Sequence, residues 1–101
     1  GVDIKAAIGE RINAAGNGKV VFSGQMRGYG KLILLRHKDN FFTAYAHNNK
    51  NFVKKGQSVK RGQKIGLVGR TGRTTGPHLH FEIRKGQIAR NPQFFLPKRR
   101  K

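Results

Sequence analysis

Apolar residues in this chain come in short runs set between glycines and polar turn residues, the signature of strands joined by hairpins. Helical periodicity is scarce. Read in order, Val2–Lys5 forms one predicted strand, Lys19–Gln25 a second, Lys31–Arg36 a buried third and Phe41–His47 a fourth, with Asp39-Asn40 as the hairpin turn between the last two. Ser58–Val59, Lys64–Val68 and His78–Arg84 follow, each set off by glycines. Between Val53 and Val68 the segment VKKGQSV is echoed by VKRGQKI. The echo is too short for a solenoid repeat and predicts two similar β-turns, with Gly supplying positive φ in each.

The 101 residues hold material for one core and one compact all-β domain, not two. No apolar run is long enough to span a bilayer, and the N-terminus lacks a signal-peptide pattern. The chain opens at Gly1 without Met and enters strand-like sequence at once, so an upstream part of the protein is expected. The absence of cysteine removes disulfides, thiolate metal sites and a Cys nucleophile from consideration. Lys and Arg number 22 against 4 Asp and Glu, a formal net charge of +18. A field of that sign draws the protein toward polyanions such as nucleic acid, anionic lipid or acidic wall polymers, and the plain alternative is a solvated basic surface.

The acidic residues are Asp3, Glu10, Asp39 and Glu82. That set does not comfortably build the paired carboxylates of a glycosidase or the acid cluster of a two-metal nuclease. Ser23 and Ser58 lie in strand or turn contexts without a nucleophile elbow. The histidines say more, because three of the four fall in two motifs, Tyr45-Ala46-His47 and Pro77-His78-Leu79-His80-Phe81-Glu82. On a strand, His78, His80 and Glu82 project to one face, while Leu79, Phe81 and Ile83 pack the core on the other. His-x-His on a strand is a ready pair of imidazoles, suited to Zn²⁺ or another transition metal, or to two ordinary polar-face histidines. Glu82 on the same face is a candidate outer-shell acceptor for a ligand ring, or a surface salt-bridging group. The preceding loop, Gly69 to Pro77, is small, polar and glycine-punctuated, as at the rim of an open groove. His37 has no such neighbours and reads as structural or exposed.

Taken in order, Gly1-Val2-Asp3-Ile4, Gly28-Tyr29-Gly30, Tyr45-Ala46-His47, Val59 to Gly66, Gly69-Arg70-Thr71-Gly72 and Gly76-Pro77-His78-Leu79-His80-Phe81-Glu82 resemble the motifs of lysostaphin/LytM-type metallopeptidases. The resemblance runs nearly end to end and closes with Asn91-Pro92 and Phe95-Leu96-Pro97. It implies a β-sandwich-like fold around an antiparallel sheet, with an open groove and one Zn²⁺ on its floor. The domain then occupies residues 1–97, and residues 98–101 form a basic tail. Asp3 aligns with the family's carboxylate ligand and His80 with a histidine ligand, while His47 and His78 align with two catalytic histidines that do not ligate. The implied activity is hydrolysis of peptide cross-links in peptidoglycan by water polarised on Zn²⁺, with His47 and His78 as base and oxyanion donor in an order that spacing leaves open. The implied location is the periplasm or the outside of the cell, with the chain as a monomer.

The chain departs from the family pattern at one ligand. The family's first zinc ligand is a His four residues before the Asp, a position ahead of Gly1, so the pattern predicts a chain trimmed just inside the domain or one that has lost this ligand. Some relatives keep the fold, shed zinc ligands and activate peptidoglycan amidases through the vacant groove, and Gly18 to His47 resembles that branch closely. Retention of Asp3, His47, His78 and His80 favours the peptidase, since a binding-only groove has no chemical need for the set. A third reading, a nucleic-acid-binding domain using Phe22, Tyr29, Phe41, Phe42 and Tyr45 as stacking platforms, competes with the core pattern those aromatics occupy. Contact with an anionic envelope accounts for the charge better, and no specific nucleic acid is expected.

Overall fold

The structure, a computed structural model, describes residues 2–72 and 78–85, with the backbone alone for Val2 and His78. The expected tail at 98–101, the closing motifs from Asn91 to Pro97 and most of the loop before His78 lie outside these residues. Eight strands are formed: β1 (Val2–Lys5), β2 (Arg11–Asn13), β3 (Gly18–Met26), β4 (Gly30–Arg36), β5 (Phe41–Asn51), β6 (Ser58–Val59), β7 (Lys64–Val68) and β8 (His78–Lys85). All their pairings are antiparallel, in the order β1-β8-β5-β4-β3-β6, with β7 joining β2 to β5. The predicted strands recur with ends moved by a residue or a few. The β2 strand went unpredicted because one apolar residue, Ile12, carries its burial and a three-residue run has no readable period.

The central strand β5 explains the shape. Its first half, Phe41–Ala46, pairs with β8, whereas Asn48, Lys50 and Asn51 pair with β7. The two neighbours part at His47, and the sheet splits there. One apolar cluster lies on the side of Ile33, Leu35 and Tyr45, closed by Ile12, Val20, Val53, Val59, Ile65 and Val68. The other gathers Tyr29, Leu32, Leu34, Phe42, Ala44 and Ala46. β4 is apolar on both faces because both are covered, which is why KLILLR reads as a continuous buried run.

The turns follow their residues. Asp39 (φ 59°) and Asn40 (φ 62°) are both left-handed between the Lys38 carbonyl and the Phe41 amide, the twist that joins strands tightly and that Asp and Asn tolerate. In the echoed turns Gly56 and Gly62 are left-handed as predicted. Each turn is also closed by its glutamine: Lys54 N–H donates to Gln57 Oε1 (2.8 Å) and Lys60 N–H to Gln63 Oε1 (3.0 Å).

Ile83 departs from its expected place. Leu79 and Phe81 pack against the first cluster as the alternation requires, but Ile83 on the same face is 62% exposed. It lies opposite Thr43 near the Phe41 end of β5, beyond the apolar residues that would cover it.

Candidate active site

Asp3 and His80 face each other across the β1–β8 ladder. The register places the two side chains on one face, and His80 Nδ1 lies 2.7 Å from Asp3 Oδ1. His80 Nε2 lies 2.7 Å from Glu82 Oε2, two residues along the same face of β8. Glu82 is buried, and the Arg84 guanidinium stands 3.4 Å from its second oxygen. Sequence reading left Glu82 open between an outer-shell acceptor and a surface ion pair; the structure places it buried on the His80 ring.

With a carboxylate on each nitrogen, the His80 pKa is raised, first by the hydrogen bond to Glu82 and then by that to Asp3, against burial. For Glu82, burial pushes the carboxyl upward, but the hydrogen bond to His80 and the charges of His80 and Arg84 overcome it and hold the group below its ordinary value. The three side chains form a continuous Asp3–His80–Glu82 hydrogen-bonded chain. Because Glu82 takes Nε2, His80 turns Nδ1 toward Asp3, the arrangement in which an outer-shell acid orients a metal-ligating histidine.

His47 reaches this face by breaking the strand alternation. Tyr45 and His47, two apart, would share a face on a regular strand. At this point β5 advances three residues, from Tyr45 to Asn48, while β4 advances two, from Ile33 to Lys31. This is a β-bulge, and His47 has φ 66° within it. The His47 ring comes within 6.0 Å of the His80 ring, and the Tyr29 ring within 6.1 Å of His80 on the same side. His47 N–H donates to the Tyr29 carbonyl at 2.8 Å, and ring Nδ1 donates to the Thr71 carbonyl at 2.6 Å. A carbonyl only accepts, so the neutral ring carries its proton on Nδ1 and its lone pair on Nε2.

Thr71 locks the loop that supplies this carbonyl. Its hydroxyl donates to the Asn48 carbonyl (2.7 Å) and accepts from Lys31 N–H (3.0 Å). Gly30 and Gly72, both with positive φ, let the two loops cross: a Cβ on Gly30 would stand 2.6 Å from Gly72 N. Sequence reading had marked these glycines as motif members but not the contact between them.

His78 begins β8 opposite Lys5, and its side chain is outside the description. His37 is structural: Nδ1 donates to the Asn17 carbonyl and Nε2 accepts from Thr43 Oγ1, each at 2.7 Å. Among the described residues no group of three or more His, Cys, Asp or Glu side chains is assembled to hold a metal ion. Asp3 and His80 supply two donors.

An all-β antiparallel domain thus carries an acid–histidine pair and a second histidine on one face of its sheet, and the chain belongs to Peptidase family M23, whose model matches residues 1–92. Among its relatives, the uncharacterized lipoprotein YgeR of Escherichia coli (strain K12) is 50% identical over 98 residues, 96% of this chain and 39% of that protein. The murein hydrolase activator NlpD of the same organism is 46% identical over 100 residues, 98% of this chain and 26% of that protein. This chain therefore spans about a quarter to two fifths of their length. Among solved structures, a zinc-containing peptidase from Vibrio cholerae superposes with a TM-score of 0.80 at 47% identity, covering 82% of this chain and 26% of that one. The catalytic domain of lysostaphin from Staphylococcus simulans gives 0.84 at 38% identity, covering 95% of this chain and 77% of that one.

Proposed function

We propose that this domain is a zinc-dependent endopeptidase that hydrolyses peptide cross-links of peptidoglycan in the cell envelope. The observation that carries the reading is the Asp3–His80 pair, 2.7 Å apart and oriented by Glu82 behind the ring. A hard carboxylate and an oriented imidazole suit Zn²⁺, and the pair fits a site whose third protein ligand comes from outside the described residues. When bound there, Zn²⁺ supplies acidification of water and polarisation of the scissile carbonyl. The side chains do the rest. Asp3 and His80 Nδ1 hold the ion, and Glu82 keeps the ring turned. His47, its tautomer set by Thr71, takes and returns a proton at Nε2. His78, at the mouth of β8, assists as the partner histidine.

A second reading has its own support. The similarity to NlpD covers nearly the whole chain, and among the described residues two donors come together where a catalytic zinc uses three. On that reading the groove binds and activates a peptidoglycan amidase. The deciding experiment takes the protein extended several residues upstream of Gly1 and measures zinc by elemental analysis alongside hydrolysis of purified peptidoglycan. Near-stoichiometric zinc with chelator-sensitive hydrolysis, zinc lost in His80→Ala but kept in His47→Ala, is the expected result. Absence of zinc, with hydrolysis appearing only when an amidase is added, would replace the peptidase by the activator.

A further inference from the structure

On the sheet face opposite His80, at the Phe41 end of β5, lies an open cleft of about 770 Å³. Arg36, Lys38 and Arg61 line it, and among the described residues no carboxylate does. His37 forms part of its wall with both ring nitrogens engaged, by Asn17 and Thr43, and Asn17 Oδ1 also accepts from Arg61 N–H at 2.9 Å. The three basic side chains thus stand on segments tied to one another. Beside them are two large apolar side chains in the open, Phe41 (39% exposed) and Ile83 (62% exposed), diagonal neighbours on paired strands, Ile83 standing opposite Thr43 and Phe41 opposite Lys85. The Lys85 ammonium lies over the Phe41 ring at 5.1 Å.

From this combination we infer that the cleft face docks on an anionic phospholipid bilayer. Guanidinium and ammonium groups match lipid phosphates, Arg36 and Arg61 as planar forks and Lys38 as a point charge. A soluble polyanion would use the same cations but has no use for an aliphatic side chain held out in water. A bilayer interface has, because Ile83 and Phe41 enter the boundary between headgroups and acyl chains while the basic groups remain among the phosphates. The net charge of +18 adds long-range attraction of the same sign. His80 and Glu82 alternate with Ile83 along β8 and face away from the bilayer in this pose. The Asp3–His80 face then remains accessible. The inference does not depend on whether that groove hydrolyses or only binds.

The test is co-sedimentation of the whole chain with vesicles of phosphatidylglycerol and phosphatidylcholine, against phosphatidylcholine alone, near physiological ionic strength. The double variant Arg36→Glu/Arg61→Glu is compared with Lys50→Glu/Arg27→Glu, exposed positions near the far end of β5 and in the β3–β4 turn that change the net charge equally. Each basic group at a membrane surface is worth roughly fivefold in partitioning. The cleft variant is therefore expected to lose on the order of 25-fold or more, and the control pair far less. Ile83→Ser leaves the charge and, being exposed, the fold unchanged, as its thermal midpoint checks; it should weaken vesicle binding several-fold and leave binding of inorganic polyphosphate untouched. Equal losses from the two charge reversals would overturn the proposal in favour of nonspecific attraction. Vesicle binding indifferent to Ile83→Ser would overturn it in favour of a soluble polyanion in the same cleft.

Discussion

Tyr45 shows how much one hydroxyl organises in a core with few polar groups. Its oxygen accepts from Ala15 N–H (3.0 Å) and donates to Thr43 Oγ1 (2.9 Å); Thr43 donates to His37 Nε2, and His37 Nδ1–H to the Asn17 carbonyl. Every donor in this chain has one acceptor, so the direction is set throughout. Burial raises the Tyr45 pKa, against the lowering hydrogen bonds from Thr43 and Ala15, so the phenol stays protonated. Tyr45→Phe strands the Ala15 amide and is expected to cost about 1 to 2 kcal/mol, seen as a lower urea midpoint with unchanged slope. An unaltered midpoint would show that the relay contributes nothing to stability. Gly30→Ala puts a methyl into the Gly72 backbone at a left-handed position, and the expected loss is about 2 to 4 kcal/mol in the same measurement.

At the scale of elements, the bulge in β5 makes the candidate site. Without the extra residue His47 would follow Tyr45 to the opposite face, and the Asp3–His80 pair would lack its neighbour. The loop at Thr71 holds the bulge from outside, through one hydroxyl and one carbonyl. Thr71→Val removes the bonds to Lys31 N–H and the Asn48 carbonyl and is expected to cost about 1 to 2 kcal/mol. It should also speed hydrogen exchange at the Lys31 amide, while Thr71→Ser keeps both bonds and most of the protection. Exchange at Lys31 unaffected by Thr71→Val would mean that the loop is held by its backbone bonds to His47 and the glycine crossing, without the hydroxyl.

Across the whole molecule the dominant fact is charge: 22 basic residues against 4 acidic ones in a chain of 101. Among the described acids, Glu82 is committed to His80 and Arg84, and Asp3 to His80. The basic surface therefore repels itself with little internal compensation, and folding brings those charges closer together. Raising sodium chloride from about 0.02 M to about 0.2 M, which shortens the screening length severalfold, is expected to raise the thermal midpoint by a few degrees. A midpoint that falls with salt would show that attractive ion pairs outweigh the repulsion.

Much of this was legible along the chain. Short runs between glycines announced an antiparallel all-β domain, because strand and turn chemistry are local. Asp39-Asn40 announced a hairpin turn and the two Gly-Gln turns their left-handed glycines for the same reason. The period of two placed His80 and Glu82 on one face, and the order of motifs placed Asp3 with them in the M23 pattern. Tertiary structure alone decided the rest. Whether Glu82 met a ring or solvent depended on burial, and the side His47 takes depended on a bulge that strand alternation does not foresee. The crossing of Gly30 with Gly72 and the exposure of Ile83 depended on which segments approach from far along the chain. Sequence spells out the local preferences of each residue and each turn; long-range contacts determine where an alternation breaks and which side chains are left uncovered, because burial is a property of the assembled molecule.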